Sequence, residues 1–170
     1  MFNHLVLIIM ASIAISGCAK HLFDQFNDNA TITDVIMYGD SLCASTVSTP
    51  HIMEIKKDCV AGRTLQSLEP IDYDHRIIFL ALGINDIIQG ISSDDYKIKL
   101  ELITSQNMIC VLPNKHPTID SVDHRQAMIE VCELYIDPVS DCGVTVGDPD
   151  GVHYFTEDYE ALATCLSAMI

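Results

Sequence analysis

Short, uninterrupted apolar runs along the 170-residue chain constrain the fold more than any other feature of the sequence. The three clearest runs are residues 35–38, 77–82 and 108–112. Such continuous runs are typical of strands that are buried on both faces, as in a parallel sheet. A more alternating and more charged stretch at 52–60 predicts an edge strand, and 134–136 predicts a short last strand that ends at an Asp-Pro pair.

Helical patterns separate these predicted strands. Ser92 and Asp95 form a capping-box pattern before Tyr96, Leu100 and Ile103, which follow the spacing of one helix face. Two further helices are predicted by similar spacing, at Met128, Cys132 and Tyr135 and at Tyr159, Leu162, Ala163 and Leu166. The alternation predicts an α/β fold with a doubly wound, mainly parallel five-stranded sheet and helices on both faces. Ligands of such sheets bind at the carboxyl ends of the strands.

The N-terminal segment predicts a secretory signal. Its apolar run at 5–15 is shorter than the roughly 20 residues that cross a bilayer, which is typical of a signal h-region. The Ile-Ser-Gly-Cys18 that follows resembles the lipobox of bacterial lipoproteins. This resemblance implies removal of residues 1–17, a lipid on Cys18 that anchors the protein to the membrane, and outer-membrane sorting; an ordinary signal peptide with a chance cysteine is the alternative. We interpret 18–33 as a tether and 34–170 as a single domain.

The charge balance argues against several classes of partner. The chain has 9 basic and 24 acidic residues, a formal net charge of −15. Such a surface repels nucleic acid and anionic lipid headgroups, so we expect no nucleic-acid partner. Hydrophobic residues make up 49% of the chain and aromatic ones only 6%, which predicts an aliphatic core.

The predicted mature chain keeps six cysteines besides the lipid-bearing one: Cys43, Cys59, Cys110, Cys132, Cys142 and Cys165. Their even number and an oxidising compartment favour disulfides. We expect one or two bridges, whose connectivity the sequence does not define. Cys110 lies inside an apolar run and is expected to be a buried thiol. No pair has zinc-finger spacing, so a cysteine-ligated metal site is not expected.

Gly39-Asp40-Ser41-Leu42 directly follows the first buried run. The glycine permits a tight turn, which places Ser41 at the carboxyl end of a strand where a helix begins. Its backbone N–H would then point, with the helix N-terminus, toward an incoming oxyanion. Taken alone, this pattern is also typical of a strand that ends in a Ser or Asp helix cap.

Gly83-Ile84-Asn85-Asp86 follows the second buried run in the same way. Glycine lets the backbone approach a ligand, and Asn85 can donate a hydrogen bond from its side-chain amide. The alternative is an ordinary turn built from Gly, Asn and Asp.

Asp150-Gly151-Val152-His153 precedes the predicted C-terminal helix. This spacing favours a carboxylate that orients the imidazole and stabilises imidazolium, which leaves the other ring nitrogen to accept a serine proton. Asp148 is a competing acid with a less suitable spacing, and a solvated loop histidine is the alternative for His153.

Together and in this order, these elements resemble the SGNH hydrolases, also called GDSL esterases. Ser41 matches the nucleophile of the family's first block, and Gly62 matches the oxyanion-hole glycine of the second. Asn85 matches the other oxyanion donor, and His153 matches the general base, with Asp150 as its acid. The resemblance extends over nearly the whole predicted domain and implies the flavodoxin-like fold of that family.

The resemblance also implies an activity, serine-dependent hydrolysis of carboxylic esters through an acyl-enzyme, which needs no metal or organic cofactor. The substrates would be O-acetylated envelope glycans, lipids, thioesters or small acyl esters, bound by a monomer at a shallow, open site. A non-catalytic envelope lipoprotein that binds a glycan or a protein is the alternative.

Several neighbouring residues have expected supporting roles. Asp40 and Asp86 are expected to hold the loops of Ser41 and Asn85, and Arg63 either contacts an anionic substrate group or is a surface residue. Departures from the family pattern are expected to alter the rim of the pocket, at Tyr154, Phe155 and Asp158.

Overall fold

The computed structural model describes residues 35–47, 55–114, 119–145 and 152–170. All of them lie within one compact unit, residues 32–170. The predicted signal peptide and the whole predicted tether, with Cys18, lie outside the described residues, as does Asp150. Within the described ranges, no helix has both the length and the hydropathy that a membrane span requires.

A five-stranded sheet forms the centre of the domain. Its strands are β1 (Val35–Gly39), β2 (Lys56–Cys59), β3 (Ile77–Ala81), β4 (Met108–Val111) and β5 (Leu134–Ile136). Their order is β2-β1-β3-β4-β5, and every neighbouring pair is parallel. The predicted parallel sheet is confirmed: the three apolar runs form its three inner strands, and the charged stretch contributes the exposed edge strand β2.

Six helices are described: α1 (Ser41–Val47), α2 (Ile84–Ile88), α3 (Ser93–Ile103), α4 (Val122–Val131), α5 (Pro138–Cys142) and α6 (Thr156–Ser167). The predicted cap of α3 is present, since Ser92 Oγ accepts a hydrogen bond from the Asp95 N–H at 3.1 Å. The predicted helix through Tyr135 is wrong at its end. The backbone becomes extended at Cys132, so α4 stops there and Tyr135 lies on β5 with an exposed side chain.

The helices cover both faces of the sheet, as the doubly wound prediction requires. On one face, Ile36 of β1 packs in a core with Leu100 of α3 and Met128 of α4. On the other face, Met37 of β1 shares a small cavity with Leu162 of α6. Successive residues of a strand point to opposite faces of the sheet. Because helices cover both faces, β1 is buried along its whole length.

All six of the described cysteines are paired, in disulfides Cys43–Cys59, Cys110–Cys132 and Cys142–Cys165. The expectation of one or two bridges, with Cys110 as a thiol, is therefore wrong. Cys110 on β4 faces the end of α4, where Cys132 has its Cα 6.2 Å away, within disulfide range. An apolar neighbourhood buries a thiol and a disulfide equally well, so composition did not distinguish them.

Candidate active site

The tight junction between β1 and α1 places Ser41 at the carboxyl edge of the sheet. A Cβ at Gly39 would lie 2.3 Å from Cys43 Cβ and 2.8 Å from the Ala81 carbonyl oxygen. Only glycine fits this approach, so the chain leaves the strand without a side chain there. Ser41 then opens α1 with a partly exposed side chain.

His153, 112 residues further along the chain, lies against this serine. Its Nε2 is 3.0 Å from Ser41 Oγ, which is hydrogen-bonding distance. The imidazole is partly exposed and precedes α6. This geometry allows the serine hydroxyl to donate its proton to the ring, which is the first requirement for a nucleophile and its base. The predicted acid, Asp150, lies outside the described residues.

Asp40, only 1% exposed, links the nucleophile to the predicted oxyanion donor. One carboxylate oxygen accepts from the Leu42 N–H at 2.9 Å, and the other accepts from Asn85 Nδ2 at 3.0 Å. Burial raises the pKa of Asp40 to about 6, against the opposing effect of these two hydrogen bonds. The ionised carboxylate occupies one N–H of the Asn85 amide and so fixes the orientation of the other.

Gly62 lies in the tight turn that follows β2. Its φ of +77° favours glycine, and the Arg63 N–H closes the turn on the Val60 carbonyl at 3.1 Å. The Gly62 carbonyl accepts from Gln89 Nε2 at 3.4 Å. The turn is thus held from the side of α2.

The Arg63 side chain turns back to β2. Its guanidinium donates to the Asp58 carbonyl at 2.6 Å and to Asp58 Oδ1 at 2.8 Å, and the side chain is 10% exposed. The sequence offered two alternatives for Arg63, a contact with an anionic substrate group and a surface residue. Neither alternative describes this position. The residue fastens the Gly62 turn to β2.

Asp86 joins the two loops that carry the predicted oxyanion donors. Its carboxylate is fully buried, and both oxygens accept from the Leu65 N–H, at 3.0 and 2.9 Å. Burial raises the pKa of this carboxyl, and the Leu65 N–H opposes that rise. Because Asp86 follows Asn85 and Leu65 lies three residues after Gly62, one carboxylate holds the two segments together.

The histidine segment is fixed differently. Asp158 at the start of α6 accepts from the Thr145 N–H at 2.9 Å and from Thr145 Oγ1 at 2.8 Å. The ring of Tyr154 packs edge-on against Tyr159 with centroids 5.4 Å apart. Of the three positions expected at the pocket rim, only Phe155 is exposed; Tyr154 and Asp158 are buried supports.

A cavity of about 20 Å³ lies beneath the site, bordered by Asp40, Leu42 and Tyr154 and otherwise mostly by apolar side chains. This volume holds about one water molecule and not an extended acyl chain. Among the residues that the structure describes, no three His, Cys, Asp or Glu side chains are grouped to hold a metal ion.

No protein-family profile and no curated protein sequence matches the chain. Solved structures do match. A lipolytic protein of the G-D-S-L family from Desulfitobacterium hafniense superposes with a TM-score of 0.61 at 17% identity, over 81% of this chain and 99% of that one.

Two further structures match similarly. A lipase/acylhydrolase from Enterococcus faecalis gives a TM-score of 0.58 at 16% identity, over 79% of this chain and 93% of that one. An acetyl xylan esterase from Geobacillus stearothermophilus gives 0.55 at 15% identity, over 79% and 93%. The chain therefore has the α/β fold of GDSL-type lipolytic proteins and esterases, as the sequence predicts.

Proposed function

We propose that this protein is a serine-dependent hydrolase of carboxylic esters, of the SGNH type. The observation that carries the proposal is the 3.0 Å contact between Ser41 Oγ and His153 Nε2, at the carboxyl edge of a parallel sheet and beside Asn85. A non-catalytic protein has no need for a hydroxyl, an imidazole and an oriented amide in one place. The fold shared with GDSL-type esterases supports the same conclusion.

The reaction has two acyl transfers. His153 accepts the proton of Ser41 Oγ as that oxygen attacks the ester carbonyl, and the new oxyanion accepts hydrogen bonds from the N–H groups of Ser41 and Gly62 and from Asn85 Nδ2. His153 then protonates the leaving alcohol. Water attacks the acyl-enzyme with the same base, and Ser41 is released with its proton restored. In this proposal Asp150 orients the imidazole.

The substrate class that we propose is a short acyl ester carried on a larger molecule, such as an O-acetylated envelope glycan. One protein of the same fold is an acetyl xylan esterase, and this supports the proposed class. Lipid or thioester acyl groups are the alternative, because another protein of this fold is a lipase/acylhydrolase. Comparing kcat/KM on 4-nitrophenyl acetate, butyrate and octanoate distinguishes the two.

We further propose that the enzyme is a lipoprotein of the bacterial envelope, sorted to the outer membrane through lipid on Cys18. The lipobox-like sequence before that cysteine supports the proposal. Processing that is blocked by globomycin and abolished in Cys18→Ala is the expected result. Processing that persists in Cys18→Ala indicates an ordinary signal peptide.

Ester hydrolysis and fluorophosphonate labelling test the catalytic proposal. Wild type should hydrolyse 4-nitrophenyl acetate and carry the probe on Ser41, and Ser41→Ala should lose both. Ser45→Ala, one turn further along α1, is the matched control and should keep both. Activity that survives Ser41→Ala contradicts the assignment, and a wild type without hydrolysis or labelling favours the non-catalytic binding protein.

A further inference from the structure

We propose that the Cys43–Cys59 disulfide is a positioning element of the oxyanion hole, which holds the Gly62 N–H at a fixed place relative to Ser41. The inference rests on the proposed esterase function. Cys43 lies two residues after Ser41, and Cys59 lies three residues before Gly62. The bridge therefore joins the helix of the nucleophile to the strand that leads into the second oxyanion donor.

The bridge lies at the end of the sheet where the site is built. Cys59 is the last residue of β2 and pairs in register with Gly39, the last residue of β1. Cys43 lies in the first turn of α1, and its Cα is 5.7 Å from that of Cys59. The covalent link thus begins where the backbone ladder between the two strands ends.

The edge strand needs this support because little else fixes it. β2 has four residues, pairs only with β1 within the described sheet, and is exposed or half-buried throughout. Edge strands with exposed backbone open at lower free-energy cost than central ones. Beyond the ladder, the Val60 N–H still donates to the Gly39 carbonyl at 3.0 Å, and Arg63 holds the turn to Asp58. The Arg63 contact lies wholly within the β2 segment and moves with it, so the Val60 hydrogen bond is the one backbone contact named here that ties the start of the turn to β1.

The other half of the bridge is rigid. Cys43 is fully buried, and its Cβ and Sγ lie 2.3 and 2.9 Å from where a Gly39 Cβ would be. The sulfur therefore packs directly against the backbone that places Ser41. A displacement of β2 cannot occur without a displacement of this junction while the bridge is intact.

The far side of the Gly62 turn is held from α2, by Gln89 on the Gly62 carbonyl and by Asp86 on the Leu65 N–H. The disulfide holds the other side of the turn, where β2 leads into it, to α1. Oxyanion donors act only within a few tenths of an ångström of their proper position, because their value depends on preorganisation. Loss of the bridge should therefore weaken transition-state binding and leave the proton transfer to His153 unchanged.

The experiment compares Cys43→Ala/Cys59→Ala with the control Cys110→Ala/Cys132→Ala. The two bridges span 16 and 22 residues, so their removal should destabilise the fold similarly, but the control bridge joins β4 to the end of α4 and touches no proposed donor. On 4-nitrophenyl acetate, below both melting temperatures, we expect kcat to fall roughly 10- to 50-fold in the first variant and less than about 3-fold in the control.

A boronic acid separates positioning from general damage. Its boron bonds to Ser41 Oγ, whose proton passes to His153, and one boron-bound oxygen occupies the oxyanion hole. Its Ki should rise by the same factor as kcat/KM falls in Cys43→Ala/Cys59→Ala, with an unchanged pH profile. Equal losses in the two double variants, or an unchanged Ki, overturn the inference. A wild type without esterase activity is instead a failure of the proposed function.

Arg63→Met tests the same turn without removing a cross-link. It breaks the contacts with Asp58 and should lower kcat roughly 3- to 10-fold, again with a matching rise in Ki. If the cysteine variant does not fold, Arg63→Met provides the test. Full activity in Arg63→Met shows that the Gly62 turn keeps its position without its links to β2, and this result overturns the inference.

Discussion

The two halves of the proposed site are built by different means. Ser41, Gly62 and Asn85 emerge at the ends of neighbouring parallel strands, and buried carboxylates fix their loops to one another. His153 comes from a segment before α6, fixed by an aromatic contact and by Asp158 on Thr145. The first half must hold N–H donors where charge develops, and the second has only to bring one ring nitrogen to a hydroxyl. The stricter requirement coincides with the half whose loops are joined by buried carboxylates.

The electrostatic character of the halves differs as well. Asp40 and Asp86 are buried carboxyls whose pKa values burial raises, so the nucleophile half carries charges that are unfavourable to bury. Each carboxylate is retained because it accepts N–H groups that fix a loop. A protein selected for stability alone has no reason to bury two such groups side by side.

The largest expected effect is the loss of the base. His153→Gln should lower kcat by at least about 10⁴-fold, because a neutral amide cannot accept the serine proton. The side chain is partly exposed, so the melting temperature should change little. Steady-state kinetics and thermal unfolding measure the two effects. A His153→Gln variant with more than a tenth of wild-type activity shows that another group is the base.

Loss of an oxyanion donor should have the next largest effect. Asn85→Ala should lower kcat about 10²- to 10³-fold with a small change in KM, because the amide acts mainly in the transition state. Asn85→Gln is the comparison: it keeps an amide but moves it by one methylene, and should also remain impaired. Wild-type kcat in either variant indicates that the amide is only a partner of Asp40.

Much of this architecture is predictable from sequence for one physical reason. Strands that are buried on both faces have continuous apolar sequences. These runs predict β1, β3 and β4. They thereby predict the edge of the sheet at which the motifs lie. The five-residue α5 escaped prediction because it depends on local capping, with Asp137 Oδ1 accepting from the Val139 N–H and Pro138 at the first position.

Contacts between distant side chains were not predictable in the same way. Asp40 and Asn85 are 45 residues apart, and their hydrogen bond depends on side-chain directions that no local pattern encodes. The same holds for the links from Asp86 to Leu65 and from Asp158 to Thr145. Both motif aspartates could be singled out as loop supports, but their partners became visible only in the folded chain.

The pH dependence of the unfolding free energy tests the electrostatic role of Asp40 in the nucleophile half. Its pKa is about 6 in the folded protein against 3.8 for the ordinary carboxyl, so the folded state binds the proton more tightly. The contribution of Asp40 to the free energy of unfolding is therefore fully present below pH 3.8. This contribution, about 3 kcal/mol, is lost as the pH rises through 6. Asp40→Asn abolishes this titration, so the difference in unfolding free energy between it and wild type should change by that amount.

Urea unfolding of both proteins at pH 4 and pH 8 measures the difference. If wild type and Asp40→Asn differ in unfolding free energy by the same amount at pH 4 and at pH 8, the raised pKa of Asp40 is contradicted. The same variant should lose at least about tenfold in kcat, because one end of the new amide turns an NH₂ toward Asn85 Nδ2 or toward the Leu42 N–H.

The smallest expected effect lies in the histidine half. Asp158→Ala removes both acceptors of Thr145, at the start of the segment that leads to His153. Thr145 is exposed, so water replaces part of what is lost, and we expect about 1 kcal/mol of destabilisation and a 2- to 5-fold lower kcat. Asp158→Asn should restore both, since its amide can accept from the Thr145 N–H and donate to the hydroxyl oxygen. The same Asp-to-Asn change is thus harmful at Asp40, toward which the Leu42 N–H and the Asn85 amide, as oriented, both donate. It is tolerated at Asp158, where the Thr145 hydroxyl can also accept. Equal losses of kcat in the two Asn variants would show that the two halves of the site do not differ in this way.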